Sequence, residues 1–526
     1  KYLRVLHDKY SNNIIIVYEP NMDAVKNQFS ECDFQSMKNV MFVYGENSER
    51  DLLYLIQNCI NYINVRFVKE ACVPNYVNMY TDDYSTYKNT ISFGLRNIYL
   101  NRNTAIVDED IRGRGVLYNC GILKEITSYS RLINVFLEEN LKDYPAVVVA
   151  AGPSLDKNVK ELKGYEGKAF IICCDGAIKT LIKNGITPDM TICLDPEKNP
   201  LLFDNEIIEK LPICITPEVN YKVNRIVSGR KFMIGTGNNG LIDEVFKGYD
   251  MELYYAPTGG SVATTAFSAV VALGFGTVIL VGQDLAYTDK KTHTESYDKD
   301  YDPDKLMQKE DNEYVEDVFG NPVLTSLQLI VYKSWFEKQI KMYPNLTVID
   351  ATEGGAKIEG SRIMSLKEAL EKAKDNEPID FKKMIEDTPY SFNKETGEKI
   401  EKYVTDAIQS VPKLKDEIKR ELLVYDDLDR CIKNSFFDSK RIKKLLTRVN
   451  NYLTKLKNNP ASSIIDKFEI GADYDIMNEL ATEELSGKDE MKGEVELISK
   501  TGRKTLERYL AAADKMMEQW HIVWDE

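Results

Sequence analysis

Gly152-Pro153-Ser154 stands between an apolar run, residues 146–150, and a helical pattern. This order predicts a strand, a tight glycine turn and a helix start, where free backbone N–H groups and the helix dipole favour a bound phosphate. The turn has neither the GxxxxGK nor the GxGxxG spacing of the common nucleotide-binding loops. A plain strand–helix turn without a ligand therefore explains it equally well.

Two aspartates follow the next apolar runs, at residues 169–174 and 191–194. Asp175 precedes a glycine and Asp195 precedes a proline. In open α/β sheets the ligand lies beyond the carboxyl ends of the strands, so both carboxylates are candidates for one binding site. Each is equally well explained as a turn-forming residue beside Gly or Pro.

A second glycine turn, Gly259-Gly260-Ser261, precedes the apolar helical run 262–273. Ser261 is a suitable helix N-cap, and the two glycines would let a ligand approach the backbone closely.

A further motif, Gly282-Gln283-Asp284-Leu285-Ala286-Tyr287, follows the apolar run 278–281 and leads into the polar stretch 288–317. This stretch is too rich in tyrosine and charge for a core and has the length of an active-site lid. It holds His293, one of three histidines in the chain. Imidazole has an unperturbed pKa of about 6.5, which suits a general base, although a solvated loop histidine fits the pattern as well.

The elements that must position these residues divide the chain into three predicted domains. Residues 1–140 alternate strand-like and helical patterns and predict a smaller α/β domain, whose start we expect to be missing because a helix tail precedes its first strand. Residues 141–375 repeat that rhythm in apolar runs without alternation and predict a Rossmann-like central α/β domain with parallel strands. Residues 376–526 carry apolar residues at helical spacing and predict an all-helical domain.

The bulk composition excludes two classes of function. The net charge of −15 excludes a protein that binds nucleic acid through a basic surface, because no cationic excess is available to release counterions. No apolar run of about 18 residues occurs, so no membrane span is predicted. The nine cysteines are scattered without a CxxC pair, which is typical of free thiols in a reducing compartment and indicates a cytoplasmic protein.

Four motifs in matching order resemble the motility accessory factor (Maf) family, the bacterial glycosyltransferases that modify flagellin. They are Ala150-Ala151-Gly152-Pro153-Ser154-Leu155, Gly259-Gly260-Ser261-Val262, the motif from Gly282 to Tyr287 with His293, and Ile349-Asp350-Ala351-Thr352-Glu353-Gly354-Gly355. The same core, residues 146–360, also resembles bacterial sialyltransferases that use CMP-sialic acid.

The resemblance implies transfer of a nonulosonic acid, a sialic-, legionaminic- or pseudaminic-acid-like sugar, from its CMP-activated form to Ser or Thr of flagellin. Inversion at the anomeric carbon is expected, without a metal or other cofactor. His293 would be the general base, with Asp284 and Tyr287 as further catalytic candidates, and Tyr287, Tyr297 and Tyr301 are candidates for holding the nucleotide phosphate. The residues implied for donor binding are Gly152, Pro153, Ser154, Asp175, Asp195, Gly259, Gly260, Ser261, Gln283, Thr352 and Glu353.

Metal use is not expected, although D-x-D triplets, a metal–nucleotide signature of many glycosyltransferases, occur in the chain. With 83 acidic residues chance produces several copies, and none clearly ends a predicted strand. The triplets lie at residues 108–110, 298–300, 300–302 and 473–475.

Two other functions stay open. The core also resembles an archaeal 6-hydroxymethyl-dihydropterin pyrophosphokinase, which would need ATP and magnesium held by the strand-end carboxylates; the long flanking domains argue against it. The third possibility is a non-enzymatic flagellin-binding chaperone. The glycine turns and His293 argue against it.

Overall fold

The structure is a computed structural model that describes residues 2–31, 34, 37–45, 48–61, 64–107, 109–235, 237, 240–297, 312–433, 438–468 and 490–525. The chain forms two compact units, Lys1–Val107 and Asp108–Glu526. None of the described helices is long and apolar enough to cross a membrane.

The first unit contains a two-stranded parallel sheet of β1 (Ile15–Tyr18) and β2 (Val40–Val43). Its small core joins Val43 of β2 to Leu52, Ile56 and Ile91 of the helices. The β–α–β rhythm predicted from the sequence is present here. The helices are α1 (Tyr2–Lys9), α2 (Met22–Glu31), α3 (Ser48–Cys59), α4 (Tyr76–Met79) and α5 (Thr81–Val107).

The second unit is built on a parallel sheet of ten strands. Strands β4, β5 and β6 are buried along their whole length, which explains why their sequences lack polar alternation. A separate antiparallel hairpin is formed by β11 and β12. The strands are β3 (Ile126–Ser128), β4 (Pro145–Val149), β5 (Phe170–Cys174), β6 (Met190–Cys193), β7 (Ile213–Ile215), β8 (Lys231–Gly235), β9 (Tyr254–Tyr255), β10 (Thr277–Val281), β11 (Asn312–Glu316), β12 (Pro322–Ser326), β13 (Thr347–Asp350) and β14 (Arg362–Ile363).

The order of the strands is β14-β13-β10-β4-β5-β6-β7-β8-β3, with β9 paired to β8. The chain moves outward from β4 to β8 and then returns to place β10 on the other side of β4. The loops after β4 and β10 therefore diverge, and open α/β sheets bind their ligands at such a switch point.

Helices flank this sheet and continue into the carboxyl-terminal part of the chain. The predicted Rossmann-like α/β fold with a helical carboxyl-terminal region is confirmed. The helices are α6 (Glu109–Gly121), α7 (Tyr129–Glu139), α8 (Leu155–Asn158), α9 (Ile178–Lys183), α10 (Tyr221–Ile226), α11 (Leu241–Gly248), α12 (Val262–Ala272), α13 (Leu327–Met342), α14 (Leu366–Leu370), α15 (Phe381–Asp387), α16 (Lys394–Gln409), α17 (Val411–Lys433), α18 (Ser439–Lys457), α19 (Ser462–Ile465) and α20 (Glu490–Asp525).

The two compact units do not coincide with the three predicted domains. Residues 126–139 fell in the predicted first domain, yet β3 pairs with β8 of the large sheet. Leu428 of α17 and Leu506 of α20 belong to the same apolar core as Val147 of β4. The polar stretch 288–317, predicted as one long loop, contains β11, which pairs with β12.

Candidate active site

A cavity of about 220 Å³ opens at the carboxyl ends of β4, β5, β6 and β10, at the switch point of the sheet. Four of the predicted donor-binding residues, two of the predicted catalytic residues and one of the candidate phosphate-binding tyrosines line it. These residues are Gly152, Asp175, Ser261, Gln283, Asp284, His293 and Tyr297.

An ion pair that was not predicted lies in the wall of this cavity. Lys198 Nζ is 2.9 Å from Asp175 Oδ1, and both side chains are buried. Burial alone would lower the pKa of Lys198, but the Asp175 carboxylate and Tyr297 together outweigh burial and raise that pKa above its ordinary value. Lys198 is therefore an ammonium ion at neutral pH, held by Asp175 in the loop after β6 at the cavity wall.

The loop that carries Lys198 is fixed by backbone and side-chain hydrogen bonds. Asp195 Oδ1 accepts from the N–H of Glu197 at 2.8 Å, and the Lys198 carbonyl accepts from Asn220 Nδ2 at 2.9 Å. Asp195 itself does not line the cavity. It acts as a turn-forming residue that sets the position of Lys198.

Two buried oxygen atoms at the cavity have no hydrogen-bond partner within the described part of the chain. They are Asp175 Oδ2 and Gln283 Oε1, on side chains that are only 3% and 6% exposed. An unsatisfied buried acceptor costs roughly 1–3 kcal/mol. Each of these atoms would be satisfied by a hydroxyl or amide N–H of a bound molecule.

The N-terminus of α12 faces the same cavity through Val262 and Ala263. Ser261 and Thr264 form a capping box, and Thr264 Oγ1 also accepts from the Gly259 N–H at 3.0 Å. The turn amides are thus used to cap the helix. The N–H groups of Val262 and Ala263, at the first two helical positions, have no intrahelical acceptor and are the ones placed for an anion.

The segment with His293 lies across the mouth of the cavity. Thr294 holds it: its N–H donates to the Ala151 carbonyl at 2.9 Å, and its hydroxyl is 2.9 Å from that of Thr180. The rings of His293 and Tyr297 are 4.7 Å apart. Lys198 Nζ lies 3.4 Å from the Tyr297 hydroxyl, so the histidine, the tyrosine and the lysine form one continuous polar wall.

Asp284, unlike Asp175, is the centre of a buried hydrogen-bonded cluster. Its Oδ1 accepts from the Ser154 hydroxyl at 2.6 Å and its Oδ2 accepts from the Ser154 N–H at 3.2 Å. The carboxylate is 3% exposed, and burial raises its pKa, which the hydrogen bonds from Ser154 partly offset. Asp284 therefore joins the loop after β4 to the loop after β10.

Two positions around Asp284 require glycine, because the backbone there lies too close to Asp284 to leave room for a side chain. A Cβ on Gly152 would lie 2.0 Å from Asp284 Oδ1, and a Cβ on Gly355 would lie 2.2 Å from the Asp284 carbonyl oxygen. Gly355 also has a φ of +77°, which side chains rarely adopt. Three of the four sequence motifs thus meet at Asp284 through packing.

The remaining predicted residues lie away from the cavity lining. Tyr287 pairs through its N–H with the Leu324 carbonyl of β12 at 2.8 Å. Glu353 Oε1 accepts from Asn158 Nδ2 at 3.1 Å and from the Leu366 N–H at 3.0 Å, which links α8 to α14. The others outside the lining are Pro153, Ser154, Asp195, Gly259, Gly260 and Thr352. Their roles in binding stay predictions.

Besides Lys198, the sequence missed Tyr332 and Leu329 of α13, which close the cavity from the side. A Cβ on Gly260 would lie 3.1 Å from the Tyr332 ring, which explains this glycine by packing. No group of three His, Cys, Asp or Glu side chains in the described ranges is arranged to hold a metal ion. Tyr301 and the D-x-D triplets at 298–300, 300–302 and 473–475 lie outside the described residues.

Comparison with known proteins agrees with this fold. Residues 121–290 match a family model described as 6-hydroxymethylpterin diphosphokinase MptE-like. The structure of a Maf glycosyltransferase from Magnetospirillum magneticum AMB-1 superposes with a TM-score of 0.52 at 16% identity, over 98% of this chain and 76% of that chain. The resemblance to the Maf family predicted from the sequence is therefore confirmed, at the level of the fold.

One curated relative also matches, over a short stretch. An uncharacterized protein of Treponema pallidum (strain Nichols) is 33% identical over 52 residues. The match covers 10% of this chain and 25% of that protein, so the chain spans about a quarter of the length of the curated relative.

Proposed function

We propose that this protein is a glycosyltransferase that moves a nonulosonic acid from a CMP-activated donor to serine or threonine of flagellin. The observation that carries the proposal is the composition of the cavity at the switch point. It combines a cation, Lys198, with two unsatisfied buried acceptors, Asp175 Oδ2 and Gln283 Oε1. A nucleotide-activated sugar needs both, because it carries a phosphate and several hydroxyl groups. The fold shared with a Maf glycosyltransferase supports the same assignment.

The donor phosphate would lie between Lys198 and the N-terminus of α12. Lys198, in the loop after β6, and the first two residues of α12, the helix before β10, both line the cavity. As the bond between the anomeric carbon and the phosphate breaks, the phosphate takes the electron pair and CMP leaves. Fixed donors at that position stabilise the growing negative charge without reorganisation.

The acceptor hydroxyl would attack the opposite face of the sugar. Its proton would pass to His293, whose ring lines the mouth of the cavity beside Tyr297. One displacement of this kind inverts the anomeric carbon. A histidine suits the role because its ordinary pKa lies near the working pH.

Calorimetric titration tests the donor site. CMP should bind saturably in the presence of EDTA, and Gln283→Leu should weaken binding because it removes one unsatisfied acceptor. Lys157→Met serves as a control, since Lys157 is half-exposed and pairs with Asp289 outside the cavity lining. Absence of CMP binding by the wild-type protein would contradict the proposal.

The family model gives a second candidate function, diphosphate transfer from ATP to a hydroxymethylpterin. That activity requires ATP with magnesium in the same cavity, and the parallel titration distinguishes the two. Binding of ATP–magnesium without a response to CMP would favour the diphosphokinase. Binding of CMP without magnesium would favour the glycosyltransferase.

A further inference from the structure

A second and larger cavity, of about 650 Å³, lies at the opposite edge of the large sheet. Glu125, Lys210 and Arg230 in its wall stand in the segments that precede β3, β7 and β8. The rest of the wall comes from neighbours of these residues and from the segment that runs from the end of α15 to the start of α16. Because these strands are parallel, their amino ends lie at the edge away from the candidate active site, which is formed at carboxyl ends. A ligand in this cavity would not touch Lys198.

The charge of this cavity is the reverse of that of the whole chain. The chain has 83 acidic and 68 basic residues, whereas the cavity is lined by more cations than carboxylates. The carboxylates are those of Glu125 and Glu386, and the cations are Lys124, Lys210, Arg230, Lys231 and Lys394. An excess of cations that face one another is stabilised by an anion between them.

Two of the five cations are already engaged. Lys124 pairs with Glu401 at 2.7 Å. Arg230 donates to the carbonyls of Glu386 at 2.6 Å and Thr388 at 2.9 Å, and its guanidinium lies 3.9 Å from the centre of the Tyr390 ring. Arg230 is therefore a fixed wall of the cavity.

The other three, Lys210, Lys231 and Lys394, have no ion-pair partner in the part of the chain that the structure describes. Lys231 is the informative one, because it begins β8 and is 8% exposed. Burial lowers its pKa, and the Glu125 carboxylate opposes this only in part. A mostly buried lysine without an ion-pair partner is costly, so its position at a cavity wall points to an anion in the cavity.

We propose that this cavity binds a small molecule that carries a diphosphate or phosphomonoester group, separately from the transfer reaction. The three uncommitted ammonium groups supply the charge that a multiply charged phosphate requires, and lysine binds phosphate as a mobile point charge. The volume lies within the range of about 300–1,000 Å³ that is usual for small-molecule sites.

Thermal unfolding with inorganic pyrophosphate as the probe tests this site. The buffer contains EDTA and no other phosphate, and sodium chloride matches the ionic strength of the reference sample. Pyrophosphate should raise the unfolding midpoint of the wild-type protein and of Lys198→Gln, in which the active-site cation is removed. Lys231→Met should abolish the rise, and in phosphate-free buffer it should itself be more stable, because it removes a buried unpaired charge.

Two further variants keep the test independent of whether Lys231→Met folds. The first is the double variant Lys210→Gln/Lys394→Gln, which changes two exposed residues. It should weaken the apparent affinity for pyrophosphate at least tenfold. Lys443→Met, an exposed residue of α18, should leave it unchanged. The proposal is overturned if pyrophosphate has no effect on the wild-type protein, or if the effect survives in the Lys210/Lys394 variant. If the pyrophosphate effect were lost only in Lys198→Gln, the anion would bind in the active site, and the proposal would also be overturned.

Discussion

Two buried carboxylates at the same edge of the sheet, Asp284 and Asp175, have opposite surroundings. Each is 3% exposed. The oxygens of Asp284 accept from the hydroxyl and the N–H of Ser154, so both oxygens are already hydrogen-bonded within the protein. One oxygen of Asp175 contacts Lys198 and the other has no partner among the described residues. Asp284 therefore marks a place where two loops are joined, whereas the unsatisfied oxygen of Asp175 marks a place where a ligand fits.

The largest expected effect comes from breaking the Asp284 cluster. Asp284→Ala should lower the free energy of unfolding by roughly 3 kcal/mol, because it leaves the buried donors of Ser154 without an acceptor. Urea-induced unfolding measures this change. Asp204→Ala, at an exposed position, is the control and should change the free energy by less than about 0.5 kcal/mol. Equal stability of Asp284→Ala and the wild-type protein would remove the structural role of this carboxylate.

Replacing the Asp175–Lys198 pair should affect binding more than folding. Asp175→Asn combined with Lys198→Met should weaken CMP binding about 30-fold, equivalent to about 2 kcal/mol, through loss of the phosphate-facing cation. The free energy of unfolding should change by about 1 kcal/mol or less, because neutral replacement of a buried ion pair is often tolerated. Calorimetry and urea-induced unfolding of one preparation separate the two effects. CMP affinity equal to that of the wild-type protein would contradict the assignment of Lys198.

Asp189 extends the comparison to a buried carboxylate that has no cation at ion-pair distance in the described ranges. Burial raises its pKa from 3.8 to about 7, although one oxygen accepts from the Ile171 N–H at 2.7 Å. The folded chain thus binds this proton more tightly than the unfolded chain. Stability should fall as pH rises between those two values, by about 1.4 kcal/mol per pH unit from this group.

Asp189→Asn should remove that contribution to the pH dependence. Free energies of unfolding measured at pH 5, 6 and 7 should decline less steeply in the variant than in the wild-type protein. Asp204→Asn supplies the reference slope for an exposed carboxylate. An unchanged slope in Asp189→Asn would show that Asp189 is already ionised at pH 5.

Much of the fold could be predicted from the sequence because parallel buried strands leave a strong local signal. The apolar runs 191–194 and 278–281 fall within one residue of β6 and β10. Strand β3 was missed, since three residues beside α7 carry no such pattern and form a strand only by pairing with β8.

The site was harder to predict, because its chemistry depends on which side chains turn into the cavity. Asp175 was found by its place at the end of β5, and Gln283 by its motif. Lys198 was missed because it stands three residues beyond the strand-end Asp195, in a loop whose path is set by Asn220. The sequence held one local signal for Lys198. It is a basic residue that closely follows the Asp-Pro turn at a strand end, in a chain with an excess of acidic residues.

Transfer of sugar to flagellin tests the central claim most directly. Purified protein would be incubated with a CMP-activated nonulosonic acid and unmodified flagellin from the same genome, and the intact mass of flagellin would be measured. We expect the mass to rise by one or more nonulosonic acid residues, with no rise for His293→Ala although that variant still binds CMP. An unchanged flagellin mass with wild-type protein that binds CMP would contradict the claim, and full transfer by His293→Ala would remove the histidine from its proposed role.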